Sequence, residues 1–581
     1  MSVPRGADRV QDQPPGESLN SGDSSALPRP AEVAVGGSRR VLLAAMGGAC
    51  VPLSFDPWGL SFLMPLSIWC LAAALAGLDG RRGFWIGWVF GLAAEGLSFC
   101  WLATAVSRYT GIFLLGEPDS VLAVLAGIGA FLIWCPLAAL GWACLGASVG
   151  AGPEKGPARW LWAVLGMGAL ESIWPRLFPW SMGSSFATSD PSAGWSLLSG
   201  CGVEGVSLLL VLAGFLAASG ATAVPRCWRD GLRWLPLLLL MALPWIPLPT
   251  AGPAPETSRE PLVVSIVQPA IELERRHGEA ASAQQLELLR RLIEKAGEVQ
   301  GPSVPLVILP EGILPGVWQE SWLREWFEPW LGSPLIVGFT MAAEKGFSNA
   351  VAFLEPLDPE PGQPPTLDTI QLGQKKVLVP FGERVPLGGV LSSLGIDLPV
   401  PQLIPGEFQT VFQSDRFHEP LGVSICYEGI LASAVAESID LGARWHVNLT
   451  EDLWYGDGFE PEQHLQLQRS RAIENGLLWL RCANAGISAA IDPGIQGQRV
   501  VRSHRKWQDG NWSSWVESTD AGETRLSAVG ERAILQLIID TPGPPTGQAA
   551  LSRAAHWTGL IWLLAVFWHF WHRREKRPSG A

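Results

Sequence analysis

Three side chains in the second half of the chain have the types and placements that acyl chemistry needs: Glu311, Lys375 and Cys426. Each closes or follows an apolar run. Glu311 ends the run 306–309 through Pro310, and Lys375 follows 369–372 ahead of Val379-Pro380-Phe381-Gly382-Glu383. Cys426 ends 421–425 and opens Cys426-Tyr427-Glu428. In α/β sheets the carboxyl ends of strands are where ligands bind. A thiol is scarcely ionised at neutral pH, so a nucleophilic Cys426 needs a base, which the Glu311 carboxylate supplies. A nearby ammonium, Lys375, favours the thiolate and stabilises an oxyanion on the attacked carbonyl, and backbone N–H groups in the turn after Cys426 add a second donor. A helix opening at Cys426 should lower the thiol pKa further. Taken singly, each residue has a plainer reading: a solvated glutamate, a surface lysine, a small buried hydrophobe.

Such a constellation needs an α/β scaffold, and residues 251–550 predict one. Short β-branched or aliphatic runs at 262–267, 306–309, 335–338, 421–425 and 445–448 alternate with helical stretches at 280–299 and 430–441. Cys482, inside the apolar run 478–482, reads as core packing, and His464 as a loop brace. The region carries 22 Lys+Arg against 38 Asp+Glu. That acidity argues against nucleic-acid binding, which needs a basic footprint.

The rest of the chain has a different texture. Only 16% of the 581 residues are charged, and 29 are Trp, 65 Gly and 47 Pro, the excesses expected of membrane helices with aromatic belts. Residues 1–38 read as a disordered tail and 39–250 as a transmembrane bundle of about seven helices. Residues 251–550 form the catalytic domain, and 551–581 a last membrane helix with a basic tail. The apolar segments lie at about 41–54, 58–78, 84–106, 121–150, 160–177, 200–224, 232–249 and 555–572. With a cytoplasmic N-terminus the inside loops hold thirteen basic residues, Arg39, Arg81, Lys155, Arg159, Arg226 and Arg573 among them, and the outside short loops only Arg108 and Arg176. By the positive-inside rule the 251–550 domain then faces away from the cytoplasm. Glu95, Glu171 and Glu204, costly in lipid, read as structural anchors facing the bundle. The nine Cys form neither a disulfide framework nor a zinc cluster.

The order and spacing of several strings resemble the nitrilase superfamily, and its membrane-embedded apolipoprotein N-acyltransferase family in particular. In the bundle they are Phe55-Asp56-Pro57-Trp58, Phe178-Pro179-Trp180 and Gly202-Val203-Glu204. In the domain they are Val267-Gln268-Pro269, Pro310-Glu311, Lys375 with Val379-Pro380-Phe381-Gly382-Glu383, Ile425-Cys426-Tyr427-Glu428, Trp454-Tyr455-Gly456, Gln463-His464, Arg471-Ala472-Ile473-Glu474 and Asn484-Ala485-Gly486. The resemblance implies a polytopic α-helical membrane bundle of about eight spans carrying a nitrilase-like α-β-β-α sandwich. It also implies a two-step transfer: Cys426 takes an acyl chain from a membrane phospholipid as a thioester, with Glu311 as base and Lys375 at the oxyanion. The acyl chain then passes to the N-terminal amine of a diacylglyceryl apolipoprotein. Glu383 is implied to orient the site, with Tyr427 and Glu428 supporting the nucleophile. No metal or organic cofactor is implied. The setting is a monomer in the bacterial inner membrane with its catalytic domain in the periplasm. Three departures stand out: Thr450-Glu451-Asp452 where the family reads S-N-D, Gly373 where it has a tyrosine, and Arg275-Arg276-His277 where a tryptophan is expected. A membrane-tethered amidase and a non-enzymatic lipid-binding relative are the competing readings.

Overall fold

The computed structural model describes residues 37–568 apart from 119, 154–155, 220–230, 248–251, 254–259, 273–278, 299–303, 345, 358–365, 396–398, 418, 457, 495–497, 519–521, 527–528, 543–544 and 546–556. The tail expected over 1–38 lies outside the described residues except for Gly37 and Ser38, which begin the first helix. Lys155, Arg226, Arg229, Arg275, Arg276, His277 and the basic tail after residue 568 lie outside them too.

The first half is helical. Its helices are α1 (Gly37–Leu53), α2 (Leu63–Ala74), α3 (Gly80–Ser98), α4 (Leu102–Tyr109), α5 (Val121–Ala138), α6 (Leu140–Ala151), α7 (Pro157–Ser172), α8 (Ala193–Cys201), α9 (Val203–Ala218) and α10 (Leu235–Ala242). A glycine seam joins α3 to α6: a Cβ on Gly83 would stand 2.3 Å from the Gly146 carbonyl oxygen, and one on Gly87 2.2 Å from that of Trp142. Small residues let backbones touch where lipid offers no hydrophobic drive. Among the described residues one continuous helical stretch, Val121–Ala151, is long and apolar enough to cross a bilayer. Two bent pairs would bring the number to three: Gly80–Ser98 with Leu102–Leu115, and Ala193–Cys201 with Val203–Ala218. The run expected as one span over 84–106 is thus broken at 99–101 by a 54° bend. Leu63–Ala74, Leu232–Trp245 and Trp557–Trp568 are apolar but shorter.

The second half is a two-sheet sandwich. Its strands are β1 (Leu262–Gln268), β2 (Leu306–Ile308), β3 (Leu335–Ala343), β4 (Gly346–Pro356), β5 (Leu367–Gln374), β6 (Thr410–Phe412), β7 (Leu421–Ile425), β8 (Trp445–Thr450), β9 (Trp479–Ala483), β10 (Ala489–Asp492), β11 (Val501–Gln508), β12 (Gly522–Arg525) and β13 (Ala533–Ile539). The larger sheet runs β11-β13-β1-β2-β3-β4-β5 with three short flanking strands, and the smaller β12-β10-β9-β8-β7-β6. At the centre of each, β1-β2-β3 and β7-β8-β9 pair in parallel. Because both faces of these strands are covered, they are largely apolar, with His446, Asn448 and Thr450 interrupting β8 and Arg481 interrupting β9. Val264, Ile266, Ile308 and Ile336 meet Val423, Ile425, Val447 and Leu449 between the sheets. Val267, Val307, Leu335 and Val337 point the other way, under α11 (Glu279–Ala296) and α12 (Glu320–Phe327). On the outer face of the smaller sheet, Trp479 and Ile491 pack with α14 (Ala432–Asp440) and α15 (Glu460–Asn475), in one apolar cluster with the helical half. A short helix α13 (Gly388–Ser393) lies between β5 and β6. The layers are helix, sheet, sheet, helix, as expected.

Candidate active site

The ends of β2, β5 and β7 bring Glu311, Lys375 and Cys426 together. Glu311 sits in the turn after β2, and that turn fits because residue 338 on β3 is glycine. A Cβ there would stand 2.6 Å from the Pro310 oxygen and 2.7 Å from Glu311 Cα. Lys375 directly follows β5, its N–H donating to the Asn349 carbonyl at 2.8 Å. Its ammonium, 1% exposed, lies 3.2 Å from Glu311 Oε1 and 2.9 Å from Glu383 Oε1. Glu383 is placed by the tight turn of the Val379–Glu383 string, where its Oε2 accepts from Val379 N at 2.8 Å. One residue escaped the sequence reading: Asn349 on β4 donates its amide to both Glu311 Oε1 at 2.6 Å and Glu383 Oε1 at 3.1 Å. A polar residue inside the apolar strand 346–356 was the signal that marks it.

Cys426 follows β7 at φ +51°, left-handed backbone that only a tightly braced turn holds. It opens a 3₁₀ turn, Cys426–Ile430, and α14 starts only at Ala432. The brace is Glu428, 2% exposed. One carboxylate oxygen accepts from Lys376 N (2.8 Å), Val377 N (3.0 Å) and Gln409 Nε2 (3.1 Å), the other from Ile425 N (2.9 Å). It therefore ties the segment after Lys375 to the residue before Cys426. Tyr427 points the other way, into the helical half, where its hydroxyl donates to the Leu177 carbonyl at 2.9 Å and its ring meets Phe178 edge-on. Trp101 packs against both Phe178 and Tyr455 there.

The electrostatics correct one expectation. The Cys426 thiol is pushed well above its usual pKa, by burial first and then by the Glu311 carboxylate, with Lys375 opposing. The predicted helix N-terminus does not reach it, so the resting group is a thiol. Burial likewise raises Glu311, against the pull of Lys375. Burial works to lower the Lys375 pKa, but Glu311 and Glu383 outweigh it and hold the ammonium charged. The arrangement is a protonated nucleophile beside a strengthened base and a fixed cation, which suits proton transfer at the moment of attack.

Behind the nucleophile, Asp452, Glu460 and His464 bring ligand-type atoms within 4.8 Å of one another. The Arg481 guanidinium already stands against Asp452, so the positive charge in that cluster is the protein's own. Burial opposes ionisation of Asp452, yet Arg481 and His464 hold its carboxyl down at about 2. His464 is the brace expected, and Cys482 is fully buried in the core between the sheets. Glu451 accepts from Leu453 N at 3.1 Å and from Asn484 Nδ2 at 3.0 Å. Asn484 in turn bonds both backbone groups of Ile271, so the departure at 451 fastens the base of the segment that leads to 273. At the other departure a side chain on residue 373 would strike Thr410, whose Oγ1 is 2.1 Å from where its Cβ would sit. Glu95 accepts from Trp142 Nε1 at 2.9 Å, and Glu204 from Arg471 at 3.2 Å, as anchors do.

Residues 263–510 match the carbon–nitrogen hydrolase family, and residues 47–216 the apolipoprotein N-acyltransferase N-terminal domain. The chain is 29% identical over 481 residues to an apolipoprotein N-acyltransferase of Allorhizobium ampelinum, covering 78% of this chain and 86% of that protein. It is 29% identical over 530 residues to one of Rhizobium rhizogenes, covering 85% and 92%. Among solved structures it is similar to Saccharomyces cerevisiae Nit3, a member of branch 10 of the nitrilase superfamily, at 17% identity and a TM-score of 0.31 over 49% of this chain and 93% of that one. An amidase from Nesterenkonia sp. is similar at 16% identity and a TM-score of 0.28, over 49% and 92%.

Proposed function

We propose, for a chain that belongs to the apolipoprotein N-acyltransferase family, that it N-acylates lipoproteins by taking an acyl chain from a membrane phospholipid through a thioester on Cys426. The observation that carries this reading is the joint burial of Glu311, Lys375 and Cys426 beside a turn whose next residue, Tyr427, is bonded into the helical half. In the first step the Cys426 S–H proton passes to the Glu311 carboxylate as sulfur attacks the ester carbonyl. Lys375 stabilises the oxyanion. The ester C–O bond then breaks, and the lysophospholipid oxygen takes the proton from Glu311. In the second step the amine of a diacylglyceryl cysteine attacks the thioester and gives a proton to Glu311. The C–S bond breaks, and the thiol is restored. Glu383 and Asn349 hold Glu311 and Lys375 in place; Glu428 holds the two backbone segments.

The same reading places the protein in the bacterial inner membrane as a monomer. Residues 39–250 and 551–581 make up a bundle of about eight spans, and 251–550 form a periplasmic catalytic domain. The basic bias of the short loops supports that orientation. Reporter fusions after residue 250 and after residue 577 should report opposite sides of the membrane; finding both on one side would overturn it.

The activity is tested by incubating the purified protein in phospholipid with a synthetic diacylated lipopeptide and weighing the lipopeptide. A mass gain of one acyl chain is expected. No gain, with hydrolysis of small amides instead, would favour an amidase.

A further inference from the structure

The polar cluster behind Cys426 contains a side chain that the reaction above leaves idle. Asp452 is the hub. Its Oδ2 accepts from Arg481 on β9, while its Oδ1 lies 3.3 Å from His464 Nδ1 on α15 and 3.3 Å from the Thr450 hydroxyl at the end of β8. All four side chains are buried. The pairing of Leu449 on β8 with Ile425 on β7 sets Thr450 beside Cys426, where its hydroxyl favours the thiolate. It stands between a fixed carboxylate and the sulfur.

A hydroxyl has one proton and two lone pairs. It donates to Asp452 while accepting the S–H, or it donates to sulfur once the S–H proton has left, but never both. Asp452 can release it because Arg481 and His464 still serve its oxygens. The backbone of Cys426 stays still meanwhile, since Asn448 Nδ2 donates to its carbonyl at 3.1 Å and is itself held by Gln468 at 2.8 Å.

We propose that Thr450 is a further catalytic residue: its hydroxyl turns from Asp452 to Cys426 Sγ as the thiol loses its proton, and it holds the thiolate in both half-reactions. The S–H proton still goes to Glu311. The Thr450 proton never leaves its oxygen and only changes acceptor. The inference rests on Cys426 being the nucleophile. Around the sulfur stand Glu311 and Lys375 from the larger sheet, Asp452 and Tyr455 from the segment after β8, His464 from α15 and Glu428 in its own turn. These stay in place in the variants below.

The full-length protein is incubated with phospholipid and no acceptor, and thioester formation on the Cys426 peptide is timed by mass. In parallel, alkylation of Cys426 by iodoacetamide is followed across pH. Thr450→Val removes the hydroxyl at nearly constant shape. Acylation should slow by about ten- to a hundredfold, the worth of a hydrogen bond to a charged group. The alkylation profile should move toward higher pH by about one unit. Thr450→Ser should restore both, and Thr450→Ala gives the same comparison if the valine variant unfolds. An alkylation profile that does not move in the hydroxyl-free variants overturns the proposal. A natural protein that acquires no acyl group on Cys426 overturns the nucleophile assignment and this inference with it, whereas acylation with an unmoved profile overturns this inference alone.

Discussion

Glu428 governs the backbone as Lys375 governs the charge. Four donors converge on its two oxygens, so Glu428→Gln turns an acceptor-only group into one that presents N–H to N–H. The expected cost is about 2 kcal/mol in stability together with a loss of turnover, read by thermal unfolding and by acylation rate. Glu311→Gln keeps the shape and removes the base, and thioester formation should fall by about a hundredfold or more. The sign of the pH dependence follows from its environment. A base must be ionised to act, and burial raises the Glu311 pKa, so activity should be lost as pH falls through a point above the ordinary carboxylate range. A wild-type acid limb at the usual carboxylate pKa would contradict this. The types and order of Glu311, Lys375, Cys426, Glu383, Tyr427 and Glu428 were legible in the sequence. The upward shift of the Cys426 thiol was not, because a sequence displays neighbouring charges but not the depth at which they are buried.

At the level of elements, β8 and β9 carry a pH liability of their own. His446 on β8 is 1% exposed and stacks on Trp479 of β9, and burial lowers its pKa to about 3. Its folded pKa lies below its unfolded one, so the stability it allows is fully present above about pH 6.5 and is lost as pH falls toward 3. The slope is about 1.4 kcal/mol per pH unit, so moving from pH 6.5 to 5 should cost about 2 kcal/mol. His446→Gln keeps a partner for Ser424, now 2.9 Å from Nε2. It should flatten the fall in unfolding temperature over that interval; an equally steep fall would place the liability elsewhere. The strands of this region could be read directly, since strands covered on both faces are largely apolar. The helices of the first half were harder. The run 84–106 is apolar throughout, yet it bends at 99–101, where Phe99 and Trp101 pack together. Hydropathy reports lipid or protein burial equally and carries no record of direction.

Across the whole molecule, α15 joins the two halves. Its sequence is polar on every side, EPEQHLQLQRSRAIEN, yet fourteen of its sixteen residues are buried. Gln466 accepts from Asp56 N at 2.7 Å, Glu474 from Val203 N at 3.0 Å, and the Ser470 hydroxyl lies 3.1 Å from that of Ser184. Arg469 bonds Asp56 at 3.0 Å and Glu523 at 2.6 Å. A polar helix ordinarily signals solvent, and nothing local distinguishes this one, because most of its partners come from residues hundreds of positions away. Arg469→Met would leave Asp56 and Glu523 without that guanidinium. A loss of about 3–5 kcal/mol is expected, seen as a lower unfolding temperature in detergent, and an unchanged temperature would show that the Arg469 guanidinium does not help to hold the halves together. For the protein engineer this helix sets a boundary. Cutting at the junction near residue 250 to obtain a water-soluble enzyme would leave these carboxylates, guanidinium groups and amides facing an abandoned surface, with the Tyr427 hydroxyl deprived of Leu177. A soluble version therefore calls for redesign of α15 first.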